Sequence, residues 1–266
     1  LGVLEKKVLL KSTLVLYIDK ENSYWHSKLS ESADIRVAWG GLEAVNTIIG
    51  LPKKLNCRDL VFGPKVSLAV ATKKMIDSDE GLNNMAKLLV DDVFPFDQAG
   101  CNAPHNLIVE KNSTFTINEI SQRVHGAFEK KLENIKITQE PMDSYNILLK
   151  KFIYQSKEKN SVISTKDNSS NVFFSEDKII SVEDPLYSRS IFISSIDDIT
   201  QLIHHLPHNI QSVGMFVEDE RKLEIISKLS NAGVDRFPDL GKMSLYQNPW
   251  DGYLPLQNMV RWISTN

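Results

Sequence analysis

The feature that most constrains this chain is the regular exchange of short apolar runs for longer segments with helical spacing. Leu14-Val15-Leu16-Tyr17-Ile18, Asp34-Ile35-Arg36-Val37-Ala38-Trp39, Leu60-Val61-Phe62 and Val66-Ser67-Leu68-Ala69-Val70 are too short for helices and read as strands. Residues 22–32, 42–49 and 77–93 read as helices, the last with Leu82, Met85, Leu88 and Leu89 on one face. Parallel strands need a crossover between them, so this alternation specifies an α/β fold with open, mostly parallel sheets.

The pattern continues downstream. Thr116 announces a helix over residues 117–135, and a second covers residues 142–155. Residues 156–170 are polar and read as a surface loop. Val172-Phe173-Phe174 and Lys178-Ile179-Ile180 read as a hairpin. The last third gives strands at residues 190–193 and 213–217, and a strand region over residues 234–245. It gives helices at residues 196–206 and 218–232, the second stopped by Gly233, and a final helix over residues 255–263 after a turn at Trp250-Asp251-Gly252-Tyr253.

Charge and cysteine content narrow the function classes. With 31 basic and 34 acidic residues the net charge is −3, which gives no basic footprint for nucleic acid. No apolar run reaches the roughly 20 residues of a membrane span. The two cysteines, Cys57 and Cys101, cannot build a disulfide framework, and no metal-ligand spacing links them, so no metal is expected. A reduced, cytoplasmic compartment is the expectation. The chain opens at Leu1 on what reads as the end of a helix, and so reads as a piece of a longer protein.

Chemistry concentrates in Asp97-Gln98-Ala99-Gly100-Cys101-Asn102-Ala103-Pro104, a turn-rich segment between a helix and a strand. A thiolate is the strongest nucleophile among ordinary side chains, although a lone cysteine can equally be a buried apolar residue. Gly100 frees the backbone before the thiol, Asn102 can hydrogen-bond locally, and His105 stands close enough to orient the thiol or to sit as a polar residue at the strand edge. His204, His205 and His208 cluster near Pro207 without a carboxylate or cysteine to complete a metal set. Gly40-Gly41 places a helix N-terminus after a strand, where backbone N–H groups can hold a phosphate.

Several pieces together carry a resemblance: Ala38-Trp39-Gly40-Gly41, Phe62-Gly63-Pro64-Lys65, the segment from Phe96 to Glu110, and Trp250-Asp251-Gly252-Tyr253. In residues and order they resemble the acyl-CoA reductases related to the fatty-acid reductase of bacterial luminescence, a branch of the aldehyde dehydrogenase superfamily. The resemblance implies an aldehyde-dehydrogenase-like fold: a partial nucleotide-binding lobe over residues 1–96, a catalytic lobe over residues 97–245, and a tail over residues 246–266 returning to the first lobe. It implies an acyl-CoA or acyl-carrier thioester as substrate, NADP(H) as cofactor with NAD as the alternative, and a homo-oligomer. Cys101 becomes the acyl-accepting nucleophile, with Asn102 and His105 completing the candidate catalytic set. Gly40, Gly41, Phe62, Gly63, Pro64 and Glu183 become the candidate cofactor contacts. Where superfamily members that make free acids carry a glutamate base, this chain has Val61, which cannot activate water. Two other readings compete with the reductase: a cysteine acyltransferase without nicotinamide, and a non-catalytic subunit that keeps the fold.

Overall fold

The computed structural model of the chain describes residues 7, 8, 10–137, 141–176 and 185–265. Two compact units emerge, one of Leu1–Gly63 with Asn258–Asn266, the other of Pro64–Gln257. The sequence reading placed its lobe boundary after residue 96. The compact units divide earlier because the strand that follows Pro64 pairs directly with the strand that follows Cys101.

In the first unit, β1 (Ile35–Trp39) and β2 (Arg58–Phe62) run parallel, joined through α2 (Leu42–Gly50). Helix α1 (Ser23–Ser32) precedes them, capped by the Asn22 side chain on the Trp25 N–H. Arg36 ties these pieces together. Its guanidinium grips Asp59 on β2 at 2.6 and 3.0 Å and donates to Ser30 Oγ at 2.7 Å, Leu51 O at 3.0 Å and Ile49 O at 3.2 Å. The last two acceptors are carbonyls at the C-terminus of α2, where a cation is favoured. The Arg36 hydrogen bonds hold the Asp59 carboxyl at about 2, below the usual carboxylate range. From the tail, the Val260 carbonyl accepts from Arg58 at 3.4 Å.

The second unit is a six-stranded sheet. Its strands are β3 (Val66–Ala71), β4 (Pro104–Glu110), β5 (Asn160–Ser164), β6 (Asn171–Ser175), β7 (Ser190–Ile196) and β8 (Ile210–Phe216), in the order β5-β6-β7-β4-β3-β8. All pair in parallel except the edge strand β5. Every residue of β3, β4 and β8 is buried, as expected for strands covered on both faces. On one face Ala69, Leu107, Val109 and Ile193 meet Leu82, Met85 and Leu89 of α3 (Asp79–Val93) and Val124 and Phe128 of α4 (Ile117–Leu132). On the other, Leu68, Val70, Ile108 and Val213 meet Ile225 and Leu229 of α6 (Asp219–Ser230) and Leu202 of a 3₁₀ turn at Ile199–His204. Between α4 and β5 lies α5 (Pro141–Gln155), and a single turn, α7 (Pro255–Asn258), ends the described elements. Helix α4 opens on a reciprocal capping box, Thr116 with Glu119.

Several expectations need correction. Residues 156–170 contain a strand, β5, whose polar sequence suits a sheet edge and whose partner is β6. The hairpin expected around residue 176 therefore pairs in the other direction, and its Lys178–Ile180 arm lies outside the described residues. Residues 14–18 join no ladder among the described residues, and Val15 is 89% and Tyr17 92% exposed, so they form no buried strand here. The helix expected over residues 196–206 is the shorter 3₁₀ turn, with the Asp198 carboxylate capping the Thr200 N–H. Residues 234–245 form no strand of their own; they run beside β8, joined to it by isolated bridges at Arg236 and Asp239 and by hydrogen bonds such as Leu240 N–H to Met215 O at 3.0 Å. The final helix stops at Asn258 rather than residue 263.

Candidate active site

Cys101 lies in the loop before β4, at the amino ends of β3, β4 and β8. Three sets of contacts fix that loop. Toward β7, the buried Gln98 amide donates to Pro104 O at 2.8 Å and Ser190 O at 3.0 Å and accepts from the Ser190 N–H at 2.9 Å. Beside it, Phe96, Asp97 and Gln98 all have positive φ, as do Tyr187, Ser188 and Arg189. The two left-handed turns clasp each other through Ser188 N–H to Asp97 O at 3.0 Å and through the Arg189–Asp97 ion pair. Six non-glycine residues in this sparsely populated region are held only because the surrounding structure over-determines them. Toward β3, Ser67 Oγ donates to Cys101 O at 2.7 Å. Toward the turn at residues 241–243, Asn102 Nδ2 donates to Met243 O at 3.0 Å. Gly100 leaves room for the Asn102 side chain, whose Oδ1 would lie 2.6 Å from a Cβ there.

The thiol itself is half-buried. Gln211 Nε2, on β8, stands 3.4 Å from its sulfur and also donates to the Asp251 carboxylate. Arg236 lies 4.1 Å over the Trp250 ring and donates to Met243 O and Leu245 O. Burial pushes the Cys101 thiol up, the Gln211 N–H pulls it down, the Asp251 charge pushes it up and the Arg236 charge pulls it down. Asp92, buried on α3, accepts from the Met243 N–H at 2.8 Å and from the Gly241 N–H, and so fixes the turn that receives Asn102 and Arg236.

The residues expected from sequence fall into distinct places. Asn102 adjoins Cys101 and acts as a strut of the loop. His105 is on β4, buried, with its ring edge-on to Tyr187 at 5.5 Å, and its Nδ1 has no hydrogen-bond partner among the described residues. Burial holds its pKa down at about 4. Gly40 and Gly41 are in the first unit. The Gly40 N–H donates to Phe62 O at 3.2 Å and extends the β1–β2 ladder, while Gly41 opens α2 without a side-chain cap. Phe62 is buried against Trp39, ring centroids 4.7 Å apart. Gly63 ends the first unit and Pro64 begins the second. Glu183 lies outside the described residues. Sequence reasoning missed Ser67, Gln211 and Arg236 and saw Asp251 only as part of a turn. Ser67 and Gln211 alone are 144 positions apart, and no local pattern links these residues.

The sequence profile of the acyl-CoA reductase (LuxC) family matches residues 2–262. The chain belongs to this family. It is 24% identical over 264 residues to a long-chain acyl-protein thioester reductase of Aliivibrio fischeri, an alignment covering 96% of this chain and 51% of the relative. It is 23% identical over 246 residues to a protein of the same description from Photorhabdus luminescens, covering 89% and 48%. The chain thus spans about half the length of the curated relatives it matches. Its fold is that of aldehyde dehydrogenases. The NADP-dependent glyceraldehyde-3-phosphate dehydrogenase of Bacillus halodurans C-125, solved with NADP, superposes with a TM-score of 0.57 at 15% identity over 84% of this chain and 48% of that one.

Proposed function

We propose that this chain carries the acyl-accepting site of a thioester reductase and that Cys101 is its nucleophile. The observation that carries the reading is a half-buried thiol on a loop braced from three directions, with an amide N–H directed at the sulfur. Bracing of this kind holds a nucleophile in attacking geometry, a large source of rate. The Cys101 sulfur attacks the thioester carbonyl, the new S–C bond forms, the carrier S–C bond breaks, and the carrier leaves as a thiolate that takes up a proton. The Cys101 backbone N–H is a donor for the developing oxyanion, a contact worth about a hundredfold or more in rate. Asn102 and Asp92 position the loop rather than touch the substrate. Val61 supplies no base in place of a hydrolytic glutamate, which supports an acyl-enzyme that outlasts attack by water.

NADP(H), or NAD(H) as the alternative, is the cofactor of this reading. The phosphate end fits the Gly40–Gly41 turn: α2 begins there without a side-chain cap, and a Cβ on Gly41 or Gly63 would meet nothing within 4 Å. When bound, the reduced nicotinamide supplies the hydride that takes the acyl group to the aldehyde level. Aldehyde release then breaks the Cys101 S–C bond and returns the sulfur as a thiolate.

The test is acylation. A radioactive long-chain acyl thioester should label the chain on Cys101, and Cys101→Ala should abolish both labelling and aldehyde formation. Labelling that persists in the variant removes Cys101 from the role. Labelling of the wild type without NADPH oxidation by a chain completed to the relatives' length would leave an acyltransferase instead.

A further inference from the structure

Strand β3 changes register on both sides of Ser67. Against β4, Ser67 pairs with Pro104 and Leu68 with Asn106, so His105 is an extra residue. Against β8, Val66 pairs with Ile210 and Ser67 with Ser212, so Gln211 is an extra residue. An extra residue in a ladder re-aims its side chain, and such irregularities gather beside functional sites. The two side chains go to different places. His105 is packed against Tyr187, whereas Gln211 reaches the sulfur of Cys101.

The orientation of the Gln211 amide is determined by its neighbours. Its nitrogen carries two hydrogens and its oxygen none. The Asp251 carboxylate only accepts, so the nitrogen must face it. The second hydrogen then has the Cys101 sulfur as its acceptor, at 3.4 Å. Ser67 Oγ stands 3.4 Å from Gln211 Oε1, although its single hydrogen serves the shorter contact to Cys101 O. Gln211 is fully buried and Asp251 is 4% exposed, so water does not compete for these groups. A thiol sulfur accepts weakly, while a thiolate accepts a charge-assisted hydrogen bond of roughly twice the strength.

We propose that Gln211 is a catalytic residue that binds the Cys101 sulfur in its thiolate form through the amide N–H, and that Asp251 positions this amide. The inference rests on the acyl-accepting role of Cys101 and adds to it. In the acyl-enzyme the sulfur carries no charge and the contact weakens. When the aldehyde leaves and the Cys101 S–C bond breaks, the electron pair returns to sulfur and Gln211 receives it. The same donor therefore acts at attack and at collapse. Asp251 has an opposed electrostatic effect: its charge disfavours the thiolate while its oxygen aligns the donor. The Arg236 charge favours the thiolate.

The rate of Cys101 alkylation by iodoacetamide against pH, measured on the 266-residue chain, tests this. Mass spectrometry of the Cys101 peptide keeps Cys57 out of the signal. Gln211→Met fills the space without a donor, and its alkylation midpoint should rise, with alkylation at neutral pH slower by about tenfold. Asp251→Asn keeps an acceptor oxygen for the Gln211 N–H and removes the charge, so its midpoint should fall. A merely structural role would lower the melting temperature of both variants without opposed shifts. If Gln211→Met does not fold, Gln211→Asn withdraws the same donor by one carbon and should give the same upward shift. An unmoved midpoint in the Gln211 variant, or an unmoved or rising one in Asp251→Asn, overturns the proposal. Opposed shifts in the two variants with a wild type that takes no acyl group sink the reductase reading alone; an acylated wild type with unshifted variants sinks this inference alone.

Discussion

At the residue scale, Arg36 shows how one side chain can specify a small unit. Its guanidinium is nearly buried, and its partners lie on α1, on β2 and at the end of α2. Arginine suits this site because its planar fork meets both Asp59 oxygens while the remaining N–H groups reach carbonyls. Arg36→Met keeps the length of the stem and removes every donor. It should cost about 3–5 kcal/mol in urea unfolding of the first unit, because among the described residues Asp59 then keeps only Lys53 and the α2 carbonyls lose their partner. A loss below about 1 kcal/mol would show that water replaces the guanidinium. Arg36 could be seen in the sequence only as a polar interruption of an apolar run. Its role depends on Asp59, 23 residues away, and on a helix end that exists only after folding.

At the element scale, packing can reverse what propensity dictates. Alanine is the better helix former, so Gly81 in the first turn of α3 looks replaceable. A Cβ at Gly81 would lie 2.2 Å from the Met75 carbonyl oxygen, in the 3₁₀ turn at Lys73–Ile76 that precedes the helix. The neighbour is backbone and cannot rotate aside. Gly81→Ala should therefore lower stability by roughly 1–3 kcal/mol, read as a fall in melting temperature, where propensity alone predicts a gain of up to about 1 kcal/mol. The same division separates what was legible in this sequence from what was not. Central strands, the Thr116–Glu119 capping box and the cysteine loop announce themselves through local pattern, because their signals lie within one element. Strand β5 does not: Asn160-Ser161-Val162-Ile163-Ser164 is polar enough to read as a loop, and only β6 makes it a strand. The thiol's hydrogen-bond donor is hidden for a related reason. His105 stands near Cys101 in sequence, but the register irregularity beside Ser67 brings Gln211 to the sulfur instead.

At the scale of the whole molecule, the second unit contains two buried titrating groups with opposite effects on stability. Burial raises the Asp92 carboxyl from 3.8 to about 6, against the pull of the Gly241 and Met243 N–H groups. Its contribution to stability is fully present below pH 3.8 and is lost as pH rises through 6. Burial lowers His105 from 6.5 to about 4. Its contribution is present above pH 6.5 and is lost as pH falls through 4. Each shift corresponds to roughly 3 kcal/mol, and between pH 4 and 6 the two slopes oppose. Removing either group should expose the other. His105→Phe keeps a ring against Tyr187, and its unfolding free energy, relative to wild type, should fall by about 2 kcal/mol as pH rises from 4 to 6. Asp92→Asn should give the reverse, a relative gain over the same interval. Urea titrations of the three proteins at several pH values would show this as two curves diverging from wild type in opposite directions. Parallel curves would mean that neither group titrates in the folded state where burial places it. The Asp92 slope bears on function as well, because protonation removes the charge that holds the turn at residues 241–243, and with it the acceptor of Asn102. Cys101 alkylation corrected for its own pH dependence should therefore change below about pH 6 in wild type and stay level in Asp92→Asn.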